Sequence, residues 1–263
     1  MIVNQIYADN SLRNFHYIIA CEKTREAMII DPLDVDRCMN VAKKNNYKIT
    51  TILNTHDHWD HIGGNQEIKE KTGATILSHK GAMKKIPDVE HGLVAGDTIN
   101  VGDTVEFKVL DTPGHTESHI CLFSNNENPS LFCGDTMFNA GVGHCKLGGN
   151  LDDLYQTFSS QFSKLPDETL IYPGHDYMLN NLEFTLNREP NNEDAKTYLM
   201  KLEKQNPHDA YVTSMADERT INSFLRLQNE TIIAELQRAF PSMSKRPNEK
   251  EVFLALRELR DNW

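Results

Sequence analysis

Residues 54–64 read "NTHDHWDHIGG" and place three histidines and two aspartates within the six positions from His56 to His61. The stretch continues the run "ITTILNT" (49–55), whose Ile- and Thr-rich composition predicts a strand. In an extended chain residues i and i+2 point to the same side, so His56 and His58 can grip one cation. The chain must then turn toward a helix expected near Gly63-Gly64. That change of direction aims Asp60 and His61 at a second point close by, so one loop can serve two cations.

A two-cation site needs more donors, and the ends of other predicted strands offer them. "DTPGHTESH" (111–119) brings His115 behind a strand and a Pro-Gly turn, "LFCGDT" (131–136) brings Asp135, and "IYPGHDY" (171–177) brings His175. Strand ends are rigid places from which convergent ligands can be projected. The resulting set is His56, His58 and His115 for one ion, Asp60, His61 and His175 for the other, and Asp135 as a bridging carboxylate. A lone histidine is usually a surface or capping residue, and His16, His79, His91 and His208 are read that way. The HExxH zinc pattern and the phosphate-binding P-loop are both absent. Ser118 and Cys121 lie near His115, but without a nucleophile elbow they do not make a nucleophilic triad.

The bulk composition narrows the partners. With 25% charged and 39% hydrophobic residues over 263 positions, the chain is that of an ordinary globular protein with a full core. A net charge of −11 opposes nucleic-acid binding, which needs a basic footprint. An anionic substrate must therefore be met by local positive charge. No apolar run approaches the roughly 18 residues of a membrane span, and no signal peptide is expected at the start. Five cysteines (Cys21, Cys38, Cys121, Cys133, Cys145) form no CxxC pair, so free thiols and a reducing, cytoplasmic compartment are expected.

Further strands are predicted at "HYIIACE", "EAMIIDP", "TVEFKVLDT", "ICLFSN", "SLFCGD" and "TLIYPG", each short, apolar and closed by turn residues. "DVDRCMNVAKKN", "GGNQEIKEKTG" and "NLDDLYQTFSSQFSKLP" read as helices, the second ending at Gly73. After Tyr177 the chain turns polar and helix-friendly, with segments at "YMLNNLEFTLNRE", "NEDAKTYLMKLEKQ", "TINSFLRLQNETIIAELQRAF" and "NEKEVFLALRELRDNW". An α/β body over 1–176 followed by a smaller helical domain over 177–263 is expected.

The motifs THDHWDH, GHTESH, GDT and PGHDY together resemble the metallo-β-lactamase superfamily. The resemblance implies an αββα sandwich with a dinuclear site at one edge of its two sheets. It says less about the substrate, because one fold hosts many chemistries. Beyond it, "PGHDYMLNNLEFTLNREPNN" and the ending "LALRELRDNW" resemble the hydroxyacylglutathione hydrolases (glyoxalase II). That resemblance implies hydrolysis of S-D-lactoylglutathione to D-lactate and glutathione, in methylglyoxal detoxification. It implies two divalent ions per chain, zinc first, with iron or manganese as alternatives. Asp60 and Asp135 would be the catalytic carboxylates, around a bridging hydroxide that serves as nucleophile. Tyr177, Arg257 and Arg260 would contact glutathione, the two arginines sharing one helix face at i, i+3.

One segment departs from the family. Where it has Gly-Cys-Gly-Lys/Arg followed by an aromatic residue, this chain reads "AGVGHCKLGGN" (140–150). His144 takes the place of the basic residue and Lys146 that of the aromatic, so the expectation is either that Lys146 supplies the charge from a shifted position or that the thiol carrier differs from glutathione. Three alternatives follow from the same motifs. One is a glutathione persulfide dioxygenase with a single iron on His56, His115 and Asp135. A second is a lactonase or other thioesterase, and a third a metal-binding protein without turnover. The expected partner is a small thioester, a glutathione conjugate, with no nucleic acid and no membrane, acting on a monomer or small homo-oligomer.

Overall fold

Side chains alternate across β-strands, and here that alternation builds three apolar layers around two sheets. The computed structural model describes all 263 residues. The first sheet has the order β1 (Ile2–Tyr7), β2 (Phe15–Ala20), β3 (Glu26–Ile30), β4 (Lys48–Asn54), β5 (Thr75–His79), β6 (Val89–Leu93). Its first three strands pair antiparallel and the rest parallel. The parallel part is crossed by α1 (Val35–Lys44), the single turn α2 (Trp59–Ile62) and α3 (Asn65–Thr72). The second sheet contains β7 (Thr98–Val101), β8 (Val105–Asp111), β9 (Ile120–Ser124) and β10 (Ser130–Gly134) as an antiparallel meander. β13 (Leu170–Pro173) joins β10 in parallel after the small hairpin β11 (Met137–Phe138)–β12 (Gly141–Val142) and α4 (Leu151–Ser160).

Between the sheets lie Tyr17, Ile19, Met28, Ile30 and Leu53 from the first and Val101, Phe107, Val109, Leu122 and Phe132 from the second. The intervening residues of the first sheet, Ile18, Ile29 and Ile52, face outward onto Cys38 and Ala42 of α1 and Ile68 of α3. Residues such as Leu131 and Cys133 of the second sheet face α4 and the C-terminal helices. This is the αββα sandwich.

The C-terminal part supplies α5 (Met178–Arg188), α6 (Glu193–Leu202), α7 (Met215–Ile221), α8 (Glu230–Ala239) and α9 (Glu249–Asp261). Two sequence expectations need correction here. The segment 220–240 is not one helix: α7 ends at Ile221, Asn222 caps a short 3-10 turn (Ser223–Leu225), and Asn229 opens α8 by accepting from the N–H groups of Thr231 and Ile232. The tail is also not wholly helical: β14 (Thr213–Ser214) pairs antiparallel with β13 and closes the edge of the second sheet. Phe184, Phe224 and Phe253 join Leu154 and Phe158 of α4 in one apolar cluster, so tail and sandwich share a core.

No helix is long and apolar enough to cross a membrane. The fully buried ring of Phe253 packs edge-on to Tyr155 and Phe224 and tilted against Phe158. Phe253→Ala should therefore cost about 3–5 kcal/mol, read as a lower denaturant midpoint in one cooperative transition; a separate early transition of the tail alone would contradict the shared core.

Candidate metal centre

At the ends of β4, β10 and β13 the chain gathers donor atoms whose lone pairs face one another. The path is set first by β4, then by His58, still extended at φ −70° and ψ 145°, then by the turn of α2. Asn54 pins this turn by donating to the His61 carbonyl and exchanging hydrogen bonds with Asn65.

His56, His58 and His115 bring three ring nitrogens together. His58 Nδ1 lies 3.1 Å from His56 Nε2 and 3.0 Å from His115 Nε2. The far nitrogen of each ring is already engaged. His56 Nδ1 faces Thr55 Oγ1 at 3.0 Å, His58 Nε2 faces the Leu147 carbonyl at 3.0 Å, and His115 Nδ1 faces the His144 carbonyl at 2.6 Å. Those contacts place the ring protons on the far side, which assigns the tautomers from the network. Three neutral nitrogens then converge with no proton between them. That arrangement is repulsive by itself and suits a cation, whose bonds of about 2.0–2.1 Å set neighbouring nitrogens about 3.3 Å apart.

Asp60, His61 and His175 form the second group. His61 Nε2 and His175 Nε2 are 3.2 Å apart, and Asp60 Oδ2 lies 3.4 Å from each. His61 Nδ1 donates to Asp31 Oδ2 at 3.0 Å and His175 Nδ1 to the Leu12 carbonyl at 2.8 Å. Asp135 stands between the groups. Its carboxylate is 3.6 Å from His115 Nε2 on one side, and 3.2 Å from His175 and 3.4 Å from His61 on the other. Asp135 Oδ1 is buried without a hydrogen-bond partner and lies among the converging ring nitrogens, which fits an oxygen left free for a cation. Gly174 leaves room for it, since a Cβ there would sit 2.2 Å from that oxygen. The donor set therefore fits two divalent cations.

The electrostatics agree. Burial lowers His56 well below its ordinary value and takes His115 to about 4, so both rings are neutral ligands at physiological pH. For His61 burial acts the same way, but the Asp135 and Asp31 carboxylates outweigh it and hold its proton on. Burial would raise Asp135; His175 and His61 overcome it and keep the carboxylate ionised.

Several supporting residues escaped the sequence reading. Asp31, buried at the end of β3 with φ +50°, accepts from Thr55 N–H (2.8 Å), Thr55 Oγ1 (2.6 Å) and His61. Its oxygens are thus spent on orienting His56, through Thr55, and His61. "IIDP" carried the signal but reads equally as a turn. His119, fully buried and stacked on His56, accepts the Asp135 N–H at 3.3 Å and meets Thr112 and Thr136 at 3.0 Å. Asn14 donates to Asp60 Oδ2 at 3.0 Å.

The expected substrate residues line a cleft of about 260 Å³ beside the centre, together with Phe138, Asn181 and Trp263. Tyr177 stacks on His175 with centroids 4.8 Å apart, and the His144 ring lies 5.1 Å from His115. Arg260 reaches the cleft with one hydrogen bond, to Asn181 Oδ1. Lys146 is tied to α9 through the Asp261 carbonyl at 3.0 Å. Arg257 lines the same cleft. Its guanidinium is buried and committed to the carbonyls of Val142 and Gly143 and to Asp261 Oδ1, so it braces the cleft wall.

Comparison with known proteins agrees with this geometry. The metallo-beta-lactamase superfamily model matches residues 15–175, and the chain belongs to that superfamily. The model of the hydroxyacylglutathione hydrolase C-terminus matches residues 176–263. Proteins named hydroxyacylglutathione hydrolase from Nitrosococcus oceani and Polaromonas sp. are 51% and 49% identical to it, over the full length of both chains in each case. Within the superfamily the chain belongs to the hydroxyacylglutathione hydrolase family. The crystal structure of ETHE1 from Myxococcus xanthus superposes with a TM-score of 0.68 at 28% identity, covering 99% of this chain and 98% of that one.

Two outcomes are expected. Zn(II) binding to metal-free protein should release protons, since His61 gives up the proton that Asp135 and Asp31 hold on it. Affinity should then fall as pH falls, in titrations run in buffers of different ionisation enthalpy. Gly174→Ala should weaken metal binding by roughly 10–100-fold, measured by competition with a chelator.

Proposed function

We propose that this chain is a dinuclear metal-dependent hydrolase that cleaves S-D-lactoylglutathione, and hydroxyacylglutathione thioesters like it, to a hydroxy acid and glutathione. In this reading His56, His58 and His115 hold one ion, Asp60, His61 and His175 the other, and Asp135 bridges them. Zinc is the expected metal. The chain divides near 176/177, with the donors before that point and much of the cleft wall after it. The five free thiols support a reducing cytoplasmic setting.

One observation carries the substrate assignment. The cleft borders the donors through His144 and Tyr177 and carries a cationic side chain without an acidic partner, Arg260; Lys146 lines it too, paired with Asp261. A thioester with an anionic tail fits that polarity on a chain that is otherwise acidic. The larger groove of about 530 Å³ near Phe158 and Phe224 offers no such charge, because Arg219 is paired with Asp167 and Arg226 with Glu189.

When bound, the two cations acidify a water molecule and polarise the thioester carbonyl. The rest is done by the chain. The far-side hydrogen bonds of the five histidines keep their lone pairs aimed inward, and Asp31 and Thr55 hold the orientation of His61 and His56. Tyr177, kept protonated by burial and by the nearby Asp135 and Asp60 carboxylates, has a hydroxyl proton to donate. Arg260, the cleft cation without an acidic partner, fixes the anionic end so that the carbonyl lies at the centre. The oxygen of a deprotonated water adds to the carbonyl carbon, the C–S bond breaks, glutathione leaves as a thiolate that needs no prior protonation, and the proton given up by the water passes to solvent or to that thiolate.

The test is hydrolysis of S-D-lactoylglutathione beside a simple alkyl thioester and a lactone, on protein of known metal content. Turnover confined to the glutathione thioester and lost on chelation is expected. Oxygen uptake with glutathione persulfide, in place of thioester hydrolysis, would favour the dioxygenase alternative. Arg260→Ala should raise KM by about tenfold with little change in kcat, the loss of one charge-assisted contact remote from the reacting carbon. An unchanged KM would move the anion elsewhere.

A further inference from the structure

We infer that the loop joining β1 to β2 (residues 8–14) is a dedicated holder of the second cation site, and that Asn14 is its positioning residue. The inference rests on the dinuclear reading above. Asn14 is buried, and its Nδ2 donates to Asp60 Oδ2 at 3.0 Å; the Asp60 carbonyl lies 3.4 Å from the same nitrogen. Which way the carboxamide points is decided by Asn10, whose Nδ2 donates to Asn14 Oδ1 at 2.9 Å while its own Oδ1 accepts the Asn14 N–H at 3.2 Å. With its oxygen taken, the Asn14 amide can only face Asp60.

The same loop also sets His175. The Leu12 carbonyl accepts its Nδ1–H at 2.8 Å. Arg13, in the left-handed region at φ +59°, accepts the Asp176 N–H on its carbonyl at 3.0 Å and pairs through its guanidinium with the Asp176 carboxylate. The Phe15 N–H donates to the Gly174 carbonyl at 2.8 Å. Residues 12–15 are thereby stitched to 174–176, and two donors of the second group, Asp60 and His175, take their orientation from one loop.

The first group owes this loop nothing. His58 and His115 are oriented by the carbonyls of Leu147 and His144, and His56 by Thr55. Asp31 serves both groups, through Thr55 and through His61. The N-terminal loop serves the second group and not the first, so a change at Asn14 should act on one cation and spare the other.

The experiment titrates metal-free protein with Zn(II) against a chromophoric chelator, and separately with Mn(II) followed by electron paramagnetic resonance. The wild-type chain is expected to bind two ions and give a spin-coupled Mn(II) pair. Asn14→Leu, similar in shape but unable to donate, should weaken one site by roughly 10–100-fold and leave the other within about threefold. The coupled Mn(II) signal should give way to that of an isolated ion. Equal weakening of both sites, or of neither, would overturn the inference. If Asn14→Leu does not fold, judged by the thermal midpoint of the metal-free protein, Asn10→Ala is read in the same way. It removes the acceptor of the Asn14 N–H and frees the carboxamide's orientation while leaving the Asn14 donor in place, and should shift the same site by a smaller factor. A wild-type chain that binds one ion only would instead overturn the dinuclear reading itself.

Discussion

The carboxylate of Asp31 is the tie on which the rest of the centre depends. It sits where β3 ends, accepts from the backbone and hydroxyl of Thr55 at the end of β4, and takes the far-side proton of His61. Its own carbonyl accepts from buried His16, at 2.7 Å. One residue thus joins two adjacent parallel strands to the turn that follows, and fixes rings in both donor groups. Without it His61 would lose its far-side acceptor and Thr55, which orients His56, would lose its own; only His58, held by the Leu147 carbonyl, is independent of it.

Around that tie the two groups are supported from opposite sides. The segment 142–147 reaches both the cleft and the first group. Its carbonyls at His144 and Leu147 orient His115 and His58, while the side chains of His144 and Lys146 line the cleft. Arg257 on α9 grips the carbonyls just upstream, at Val142 and Gly143. The C-terminal helices therefore brace the backbone that aims two ligands, besides walling the cleft. An arginine that looks like a substrate contact from its spacing has its two terminal nitrogens committed to the backbone and to Asp261, because a buried guanidinium is costly without such partners.

Much of the fold and most of the donor set could be read along the chain. The long strands with clear apolar character, β2, β3, β4, β8, β9, β10 and β13, were legible, as was α3 with its left-handed Gly73 cap at φ +71°. β1, β5, β6 and β7 were not. Segments such as "TINV" and "VEHGL" are short and polar on one face, so their strand state comes from pairing with neighbours. The seven donors announced themselves by type, by spacing and by their place after apolar runs. Asp31, Thr55, His119 and Asn14 are single residues whose partners lie at sequence distances from 1 to 46, and nothing local distinguishes them.

The sequence by itself determined which groups could bind a cation: the HxHxDH period, and histidines or aspartates at three further strand ends. Those choices depend on residue chemistry and on local direction, which a strand and a turn impose without outside help. Long-range contacts settle which nitrogen of each ring faces inward, that Asp135 lies between the two groups, and that Arg257, though it lines the cleft beside Arg260, is committed to the Val142 and Gly143 carbonyls. Each of those depends on what the far side of a side chain touches, and that contact comes from a different strand, loop or helix.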